Sequence, residues 1–249
     1  MGKLILALAC RNNGSRLYGK PLQNLCPDSG YTILDNIIAS VAEIECVHEC
    51  VLGIARGPDN EIFSHICADR SLKYVIGDEF NVLSRLIACG ELSSATDILR
   101  ITSESPFPCV DLIEEAWLMH NKNGADATFL DDVIDGCGFE IISLDALKTS
   151  QRLGSDRHRS ELCSSYLREN KSKFSIQHIQ PPSYLVRKDL RLTVDYPEDL
   201  VVCRAVFAAF RDQAPSIRLD DVVNFLDRNP ELTKMVSCYC EQGYSTMYL

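Results

Sequence analysis

The 249-residue chain has no apolar run approaching the roughly 20 residues that cross a bilayer, so no membrane partner is expected. Its one apolar stretch near the start, Leu4 to Cys10, is too short for a signal-peptide core and has only Lys3 as a basic flank. Leu6 stands where a myristoylation signal needs Ser or Thr. Positive charge is also short: 25 Lys and Arg face 35 Asp and Glu, a net charge of -10, which repels polyphosphate backbones and argues against nucleic-acid binding. A small anionic ligand stays open if cations gather in one pocket. Zinc-site spacing is missing as well. The closest cysteine pair, Cys238 and Cys240, lacks both the two-residue spacer and a second ligand pair. The twelve cysteines are scattered through apolar stretches, as expected of reduced, buried thiols in a cytoplasmic protein. There is no internal repeat, low-complexity tract or linker, which predicts one domain over residues 1–232 and a tail, 233–249, with no assigned role.

What the chain does have is alternation. Leu4 to Cys10 reads as a buried first strand, because a continuous apolar run suits a parallel sheet covered on both faces. Further strands are predicted at Val47–Ala55, Lys73–Ile76, Asp97–Thr102, Ala127–Leu130, Glu140–Ser143 and Leu190–Val194. Helices are predicted at Ile33–Glu43, Asn60–Arg70, Val82–Leu92, Val110–Asn121, Leu144–Lys148, Ser160–Asn170, Pro197–Phe210 and Leu219–Arg228, with Gln151–Arg159 as an exposed loop. This pattern predicts an α/β fold with an open, mostly parallel sheet and helices on both faces. Ligands of such sheets bind beyond the carboxyl ends of the strands. Three charged elements fall there: the loop Arg11 to Lys20, Glu104, and Asp195.

The loop carries Arg11, Arg16 and Lys20 with Gly14, Ser15 and Gly19. Backbone amides of a glycine-containing loop can cradle phosphate oxygens, and the cations add charge. A solvated basic loop would look similar, but the place after a first buried strand favours a phosphate site. Gly14 to Lys20 also fits most of the P-loop pattern, the signature of nucleotide kinases. That pattern then needs Ser or Thr for magnesium, and Pro21 stands there, so the P-loop reading ranks second.

Arg-x-x-x-x-Arg-Leu-x-Gly-Lys after a first strand resembles the signature loop of the CMP-sugar nucleotidyltransferases, most closely the spore-coat polysaccharide cytidylyltransferase branch. Acylneuraminate and 3-deoxy-octulosonate cytidylyltransferases are related. Four further stretches match in order: Gly77 to Arg85, Leu99 to Pro106, Ser160 to Asn170, and Leu190 to Leu200, the last, LRLTVDYPEDL, almost letter for letter. Together they span roughly residues 4 to 210.

The resemblance implies a nucleotide-diphospho-sugar transferase-like fold, a homodimer with a contact near Ala127 to Ser143, and transfer of CMP from CTP to an acidic sugar of nonulosonic or octulosonic type. It implies that Arg11, Arg16 and Lys20 hold the triphosphate and that the backbone at Ala9 and Cys10 meets the base. Ser15, Arg85, Arg100 and Thr102 are the other expected nucleotide contacts. Magnesium would sit between Glu104 and Asp195. Asp195 could equally cap the following helix, and Glu79 with Arg85 could be only a surface ion pair. His158, Arg159, Arg187, Lys188 and Arg191 are the candidate cations for the sugar carboxylate. Three positions depart from the family. Tyr18 replaces a proline, Leu162 replaces a histidine, and Glu104 replaces the metal-binding aspartate, placing its carboxylate one methylene further out. Glu104 and Leu162 motivate an alternative from another class, a non-catalytic nucleotide-sugar-binding homologue.

Overall fold

The structure, a computed structural model, describes residues 2–247, without the side chains of residue 242 and residues 244–247. Its elements in chain order are β1 (Leu4–Cys10), β2 (Asn24–Cys26), β3 (Tyr31–Thr32), α1 (Ile33–Ala42), β4 (Val47–Ala55), α2 (Glu61–Asp69), β5 (Lys73–Gly77), α3 (Val82–Leu92) and β6 (Asp97–Arg100). There follow α4 (Ile113–Asn123), β7 (Ala127–Leu130), β8 (Phe139–Ser143), α5 (Leu144–Leu153), α6 (Asp156–Arg159), α7 (Ser165–Glu169), β9 (Ile176–His178), α8 (Pro197–Ala209), α9 (Leu219–Arg228) and α10 (Pro230–Met247).

Seven strands form one sheet in the order β5-β4-β1-β6-β8-β7-β9, and β2 with β3 makes a separate ribbon. Strands β5, β4, β1 and β6 are parallel; β8 runs antiparallel to both neighbours. The apolar run of β1 is explained by burial on both faces. Leu4, Leu6, Leu8 and Cys10 join one core cluster, while Ile5 and Ala7 join the other. Helix starts carry local caps. Thr32 Oγ1 accepts from Asp35 N at 3.1 Å while Asp35 accepts from Thr32 N at 2.8 Å, and Asn81 Oδ1 accepts from Ser84 N at 2.9 Å. The chain runs outward from β1 through β4 to β5, then returns to place β6 on the other side of β1. That reversal opens a crevice between the carboxyl ends of β1 and β6, where the loops after both strands meet.

Three stretches differ from expectation. Leu190 to Val194 is not a strand and makes only a single bridge, Arg191 to Asp135. All five of its residues are buried, as in a strand covered on both faces, but its backbone bonds to loops. Leu192 N donates to Asp135 O at 2.7 Å, and Val194 N donates to Glu104 O at 3.0 Å. Gln151 to Arg159 is not an exposed loop. Helix α5 continues to Leu153, α6 follows, and His158 is buried with Nδ1 accepting from Ser155 N at 2.9 Å. Ser160 to Asn170 is helical only over α7. The preceding turn is held open because Glu161 O accepts from Arg100 Nη2 at 2.8 Å.

The boundary expected between 232 and 233 falls inside α10, which packs on α8 and α9. Tyr248 and Leu249 lie outside the described residues. Strands β7 and β8, in the region expected to carry a dimer contact, are interior strands paired on both sides. Among the described residues no helix is long and apolar enough to cross a membrane.

Candidate active site

The loop after β1 is shaped by Asn12 and two glycines. Buried Asn12 takes Asn60 Oδ1 on its amide at 2.7 Å and bonds the Asp59 carbonyl through its side chain. Its own carbonyl accepts from Gly19 N at 2.8 Å, closing the loop, and Gly19 sits at φ 61, where glycine is favoured. A Cβ on Gly14 would meet the Leu17 carbonyl at 2.3 Å. The loop tip therefore curls back and presents Ser15 and Arg16, both exposed, with Lys20 below them. A short 3-10 turn and the β2 ribbon follow Lys20. A P-loop needs a helix there, so the kinase reading fails on architecture as well as on Pro21.

Arg16 and Lys20 converge on the second acidic motif. Arg16 Nη2 lies 2.8 Å and Lys20 Nζ 2.6 Å from Asp195 Oδ1, and Arg191 Nη2 lies 2.6 Å from Asp195 Oδ2. Burial opposes ionisation of Asp195, but the hydrogen bond and charge of Lys20, then Arg16 and Arg191, outweigh it and hold the carboxyl below its ordinary value. The cap expected of Asp195 belongs to Asp199 instead. Asp199 Oδ2 accepts from the amides of Asp195 and Tyr196, each at 2.9 Å.

Glu104 lines the same cleft, within the loop after β6. Ser103 Oγ, 2.9 Å from Ala9 O, is 3.3 Å from the Glu104 carboxylate. Burial pushes the Glu104 carboxyl above its usual range; Lys20 opposes this and Asp195 adds to it. The bond from Val194 N to Glu104 O ties the two acidic segments together. Among the described residues no cluster of three or more His, Cys, Asp or Glu forms a ready metal cage. Two carboxylates completed by phosphate oxygens and water are nonetheless a set that magnesium accepts, so the residues fit the ion together with a phosphate ligand.

Arg11, Arg100, Thr102, Glu104, Ser105 and Asp195 all line one cleft of about 440 Å³, a size suited to a small-molecule ligand. Arg11 is 3.2 Å from Glu161, and Arg100 Nη1 is 2.7 Å from Glu140. Thr102 Oγ1 is 2.6 Å from Ser105 Oγ, which donates onward to Thr193 Oγ1 at 3.1 Å. Ala9 reaches the neighbouring part of the crevice, while the Cys10 side chain is fully buried and burial raises its thiol pKa well above the ordinary value.

Arg85 is not in a surface ion pair. It is 1% exposed, and its guanidinium donates to the carbonyls of Cys10 at 3.2 Å, Gly53 at 2.6 Å and Glu79 at 3.4 Å. Gly77 is required beside it, since a Cβ there would meet Arg85 Cγ at 2.7 Å. Arg85 thus ties the ends of β1 and β4 together beneath the crevice.

Of the cations considered for a sugar carboxylate, His158 is turned to Glu169 at 2.9 Å, Arg159 to Asp156 at 2.8 Å, and Arg187 to Asp189 and Asp227 at 2.7 and 2.8 Å. Lys188 does not line the cleft. Arg191 is buried beneath the cleft between Asp135, Asp195 and Asp199. A further cation that lines it, beside Arg11, Arg16, Lys20 and Arg100, is Arg168, which the sequence did not single out. It bonds Asp131 at 2.8 and 3.0 Å and Glu140 at 2.9 Å, and stacks 3.8 Å over Phe129. Its presence in the Ser160 to Asn170 motif was the available signal. Nothing in local sequence marked Asp135 or Glu140.

The fold, with its crevice at the carboxyl ends of β1 and β6, is of nucleotide-diphospho-sugar transferase-like architecture. No protein-family model matches the chain. It is 23% identical over 242 residues to an uncharacterized protein of Methanocaldococcus jannaschii, covering 97% of this chain and 98% of that one. It is 22% identical over 236 residues to the spore coat polysaccharide biosynthesis protein SpsF of Bacillus subtilis, covering 93% and 97%. In fold it is similar to a cytidylyltransferase from Leptospira borgpetersenii, with a TM-score of 0.82 at 16% identity over 94% of this chain and 97% of that one. It is also similar to a CMP:2-keto-3-deoxy-manno-octonic acid synthetase solved with CTP, with a TM-score of 0.61 at 14% identity over 83% and 99%. The chain thus resembles cytidylyltransferases in its motifs and is similar to them in fold.

Proposed function

We propose that the protein transfers CMP from CTP to the hydroxyl of an acidic sugar, of nonulosonic or octulosonic type, releasing pyrophosphate. The observation that carries the reading is the convergence of Arg16 and Lys20, from the first loop, on Asp195, some 175 residues away, in a cleft shared with Glu104. Cations gathered at the carboxyl end of a parallel sheet suit a triphosphate, and the paired carboxylates suit a divalent cation. CTP is chosen because the motifs resemble those of cytidylyltransferases and the fold is similar to theirs.

In this reading the sugar oxygen attacks the α-phosphorus in line and a new phosphorus–oxygen bond forms. The bond from the α-phosphorus to the bridging oxygen breaks, pyrophosphate leaves, and the hydroxyl proton passes to water. Arg11, Arg16 and Lys20 hold the β- and γ-phosphates and stabilise the charge that grows on the leaving group. Arg100 and Thr102 orient the substrates along the cleft wall, and Ser15 lies at the phosphate end. Magnesium, when held by Glu104 and Asp195, would neutralise charge on the phosphate oxygens. Catalysis is then chiefly positioning and electrostatics. Free cysteines, most of them buried, support a cytoplasmic location, and sedimentation would test the proposed homodimer.

The test is pyrophosphate release from CTP and magnesium across a panel of acidic sugars, with Asp195→Ala as control. Release that needs CTP, one sugar and intact Asp195 is the expected result. Glu104 in place of the family aspartate favours one second reading, a binding protein without turnover. CTP binding without release from any sugar would support that reading. Absence of both release and CTP binding would refute the proposal.

A further inference from the structure

Helix α10 lies along the segment that carries Asp195. Val236 and Cys240 are 1% and 7% exposed, and with Tyr239 and Gly243 they occupy one face at three- and four-residue spacing. Each contact of this face falls at a different point of the 189–196 segment. The Cys240 thiol lies 3.5 Å from the Asp189 carbonyl. The Tyr239 ring stacks on Tyr196 with centroids 3.9 Å apart and planes at 7°. Gly243 passes so close to the buried Arg191–Asp135 pair that a Cβ would meet Arg191 Nη1 at 2.2 Å and Asp135 Oδ2 at 2.3 Å. The phosphate loop meets the same Tyr196 ring, with the Arg16 guanidinium over it 5.0 Å from the centroid and hydrogen-bonded to the Tyr196 side chain.

We infer that α10 is a positioning element of the phosphate end of the cleft. Tyr239 backs Tyr196 so that its ring holds Arg16 in place, and Gly243 leaves the room in which Arg191 is held against Asp135 and Asp195. Apart from Tyr196, Arg16 is exposed on a loop tip and is held, among the described residues, by Asp195, a partner it shares with Lys20. A flat ring behind it restricts the guanidinium to one plane and leaves its edge free to meet phosphate oxygens. The segment under it has no sheet to rest in, since Leu190 to Val194 makes a single bridge, so α10 supplies the support that a strand neighbour would otherwise give. The inference deepens the proposed function, because it concerns how the same site grips a triphosphate.

The experiment compares wild type, Tyr239→Phe and Tyr239→Leu for tripolyphosphate and CTP binding by calorimetry, for KM and kcat in pyrophosphate release, and for thermal unfolding. Losing the stacked pair should weaken tripolyphosphate and CTP binding by about 2- to 12-fold and raise the KM for CTP in proportion. Tyr239→Phe, which keeps the ring, should bind like wild type. A purely structural role would instead lower the melting temperature and the active fraction with KM and Kd unchanged, and would overturn the inference. So would equal affinity in all three proteins, or failure of the wild type to bind tripolyphosphate. The two readings part cleanly. Turnover with no effect of Tyr239→Leu refutes the role of α10 alone. Weakened tripolyphosphate binding in a protein that never releases pyrophosphate supports α10 and refutes the transferase.

Discussion

Replacing Arg191 with methionine should destabilise the protein sharply, and more so at alkaline pH. Arg191 is 3% exposed and makes three ionic contacts: Nε to Asp199 at 2.8 Å, Nη2 to Asp195 at 2.6 Å, and Nη1 to Asp135. Methionine fills similar space but leaves these carboxylates without their shared cation. Breaking a buried pair from one side typically costs about 3–5 kcal/mol. The pH dependence follows from Asp135. Burial is the chief cause that pushes its pKa up to about 6; Arg191 opposes the rise, while Asp195, Asp199 and Glu104 add to it. A carboxyl whose folded pKa lies above its unfolded value binds a proton more tightly when folded. Its contribution therefore favours folding at low pH and is lost as pH rises from about 4 to about 6, by about 3 kcal/mol in the wild type. Without Arg191 that rise grows, so the loss measured at pH 8 should exceed that at pH 5 by about 1–2 kcal/mol. Urea denaturation at both pH values is the assay. A loss below about 1 kcal/mol at pH 8, or a larger loss at pH 5, would refute the reasoning.

Glu140 provides the opposite sign. Burial would raise its carboxyl, but Arg100 and Arg168 with the Ser164 hydrogen bond hold it down at about 2. Its stabilising contribution is complete above the ordinary glutamate value and is lost as pH falls through about 2, so Glu140→Gln should cost about 3 kcal/mol at pH 7 and progressively less in acid, as urea titrations would show. Glu104→Gln should lower kcat/KM for pyrophosphate release at saturating magnesium by about 100-fold. Circular dichroism should meanwhile show an intact fold; unchanged kinetics would remove Glu104 from the metal site.

Most of the sheet was legible because burial on two faces leaves a continuous apolar run, as in β1. Leu190 to Val194 misled for a physical reason. A run of residues suited to burial does not say whether the backbone finds a strand or the carbonyls of Asp135 and Glu104. The site was legible where charge clustered in sequence, as at Arg11, Arg16 and Lys20. Arg168, Glu140 and Asp135 were not, because their partners are 28 to 56 residues away and only folding joins them. Arg85 was expected as a nucleotide contact, with a surface ion pair to Glu79 as the alternative, whereas its guanidinium is buried and donates to the carbonyls of Cys10, Gly53 and Glu79.

The arrangement of Asp195 carries one further consequence for binding order. In the free protein its Oδ1 is bonded by both Arg16 and Lys20, so the groups that would hold a triphosphate are occupied by the carboxylate that would hold the metal. A metal-free nucleotide must displace Asp195 from both cations and then face a carboxylate left with Arg191 as its partner inside a partly buried cleft. A nucleotide arriving with magnesium lets Asp195 exchange two cations for one divalent ion while Arg16 and Lys20 turn to phosphate, and no charge is stranded. Asp195→Asn removes the competitor without removing the cations. It should therefore bind CTP in excess chelator more tightly than wild type, by about 5- to 10-fold, since one unit charge a few ångströms away at a partly buried site is worth about 1 kcal/mol or more. With magnesium present the order should reverse, because the variant has lost a metal ligand. Calorimetry under the two conditions measures both signs. Weaker CTP binding by Asp195→Asn in chelator would mean that Asp195 organises Arg16 and Lys20 and does not compete for them, and the exchange would have to be abandoned.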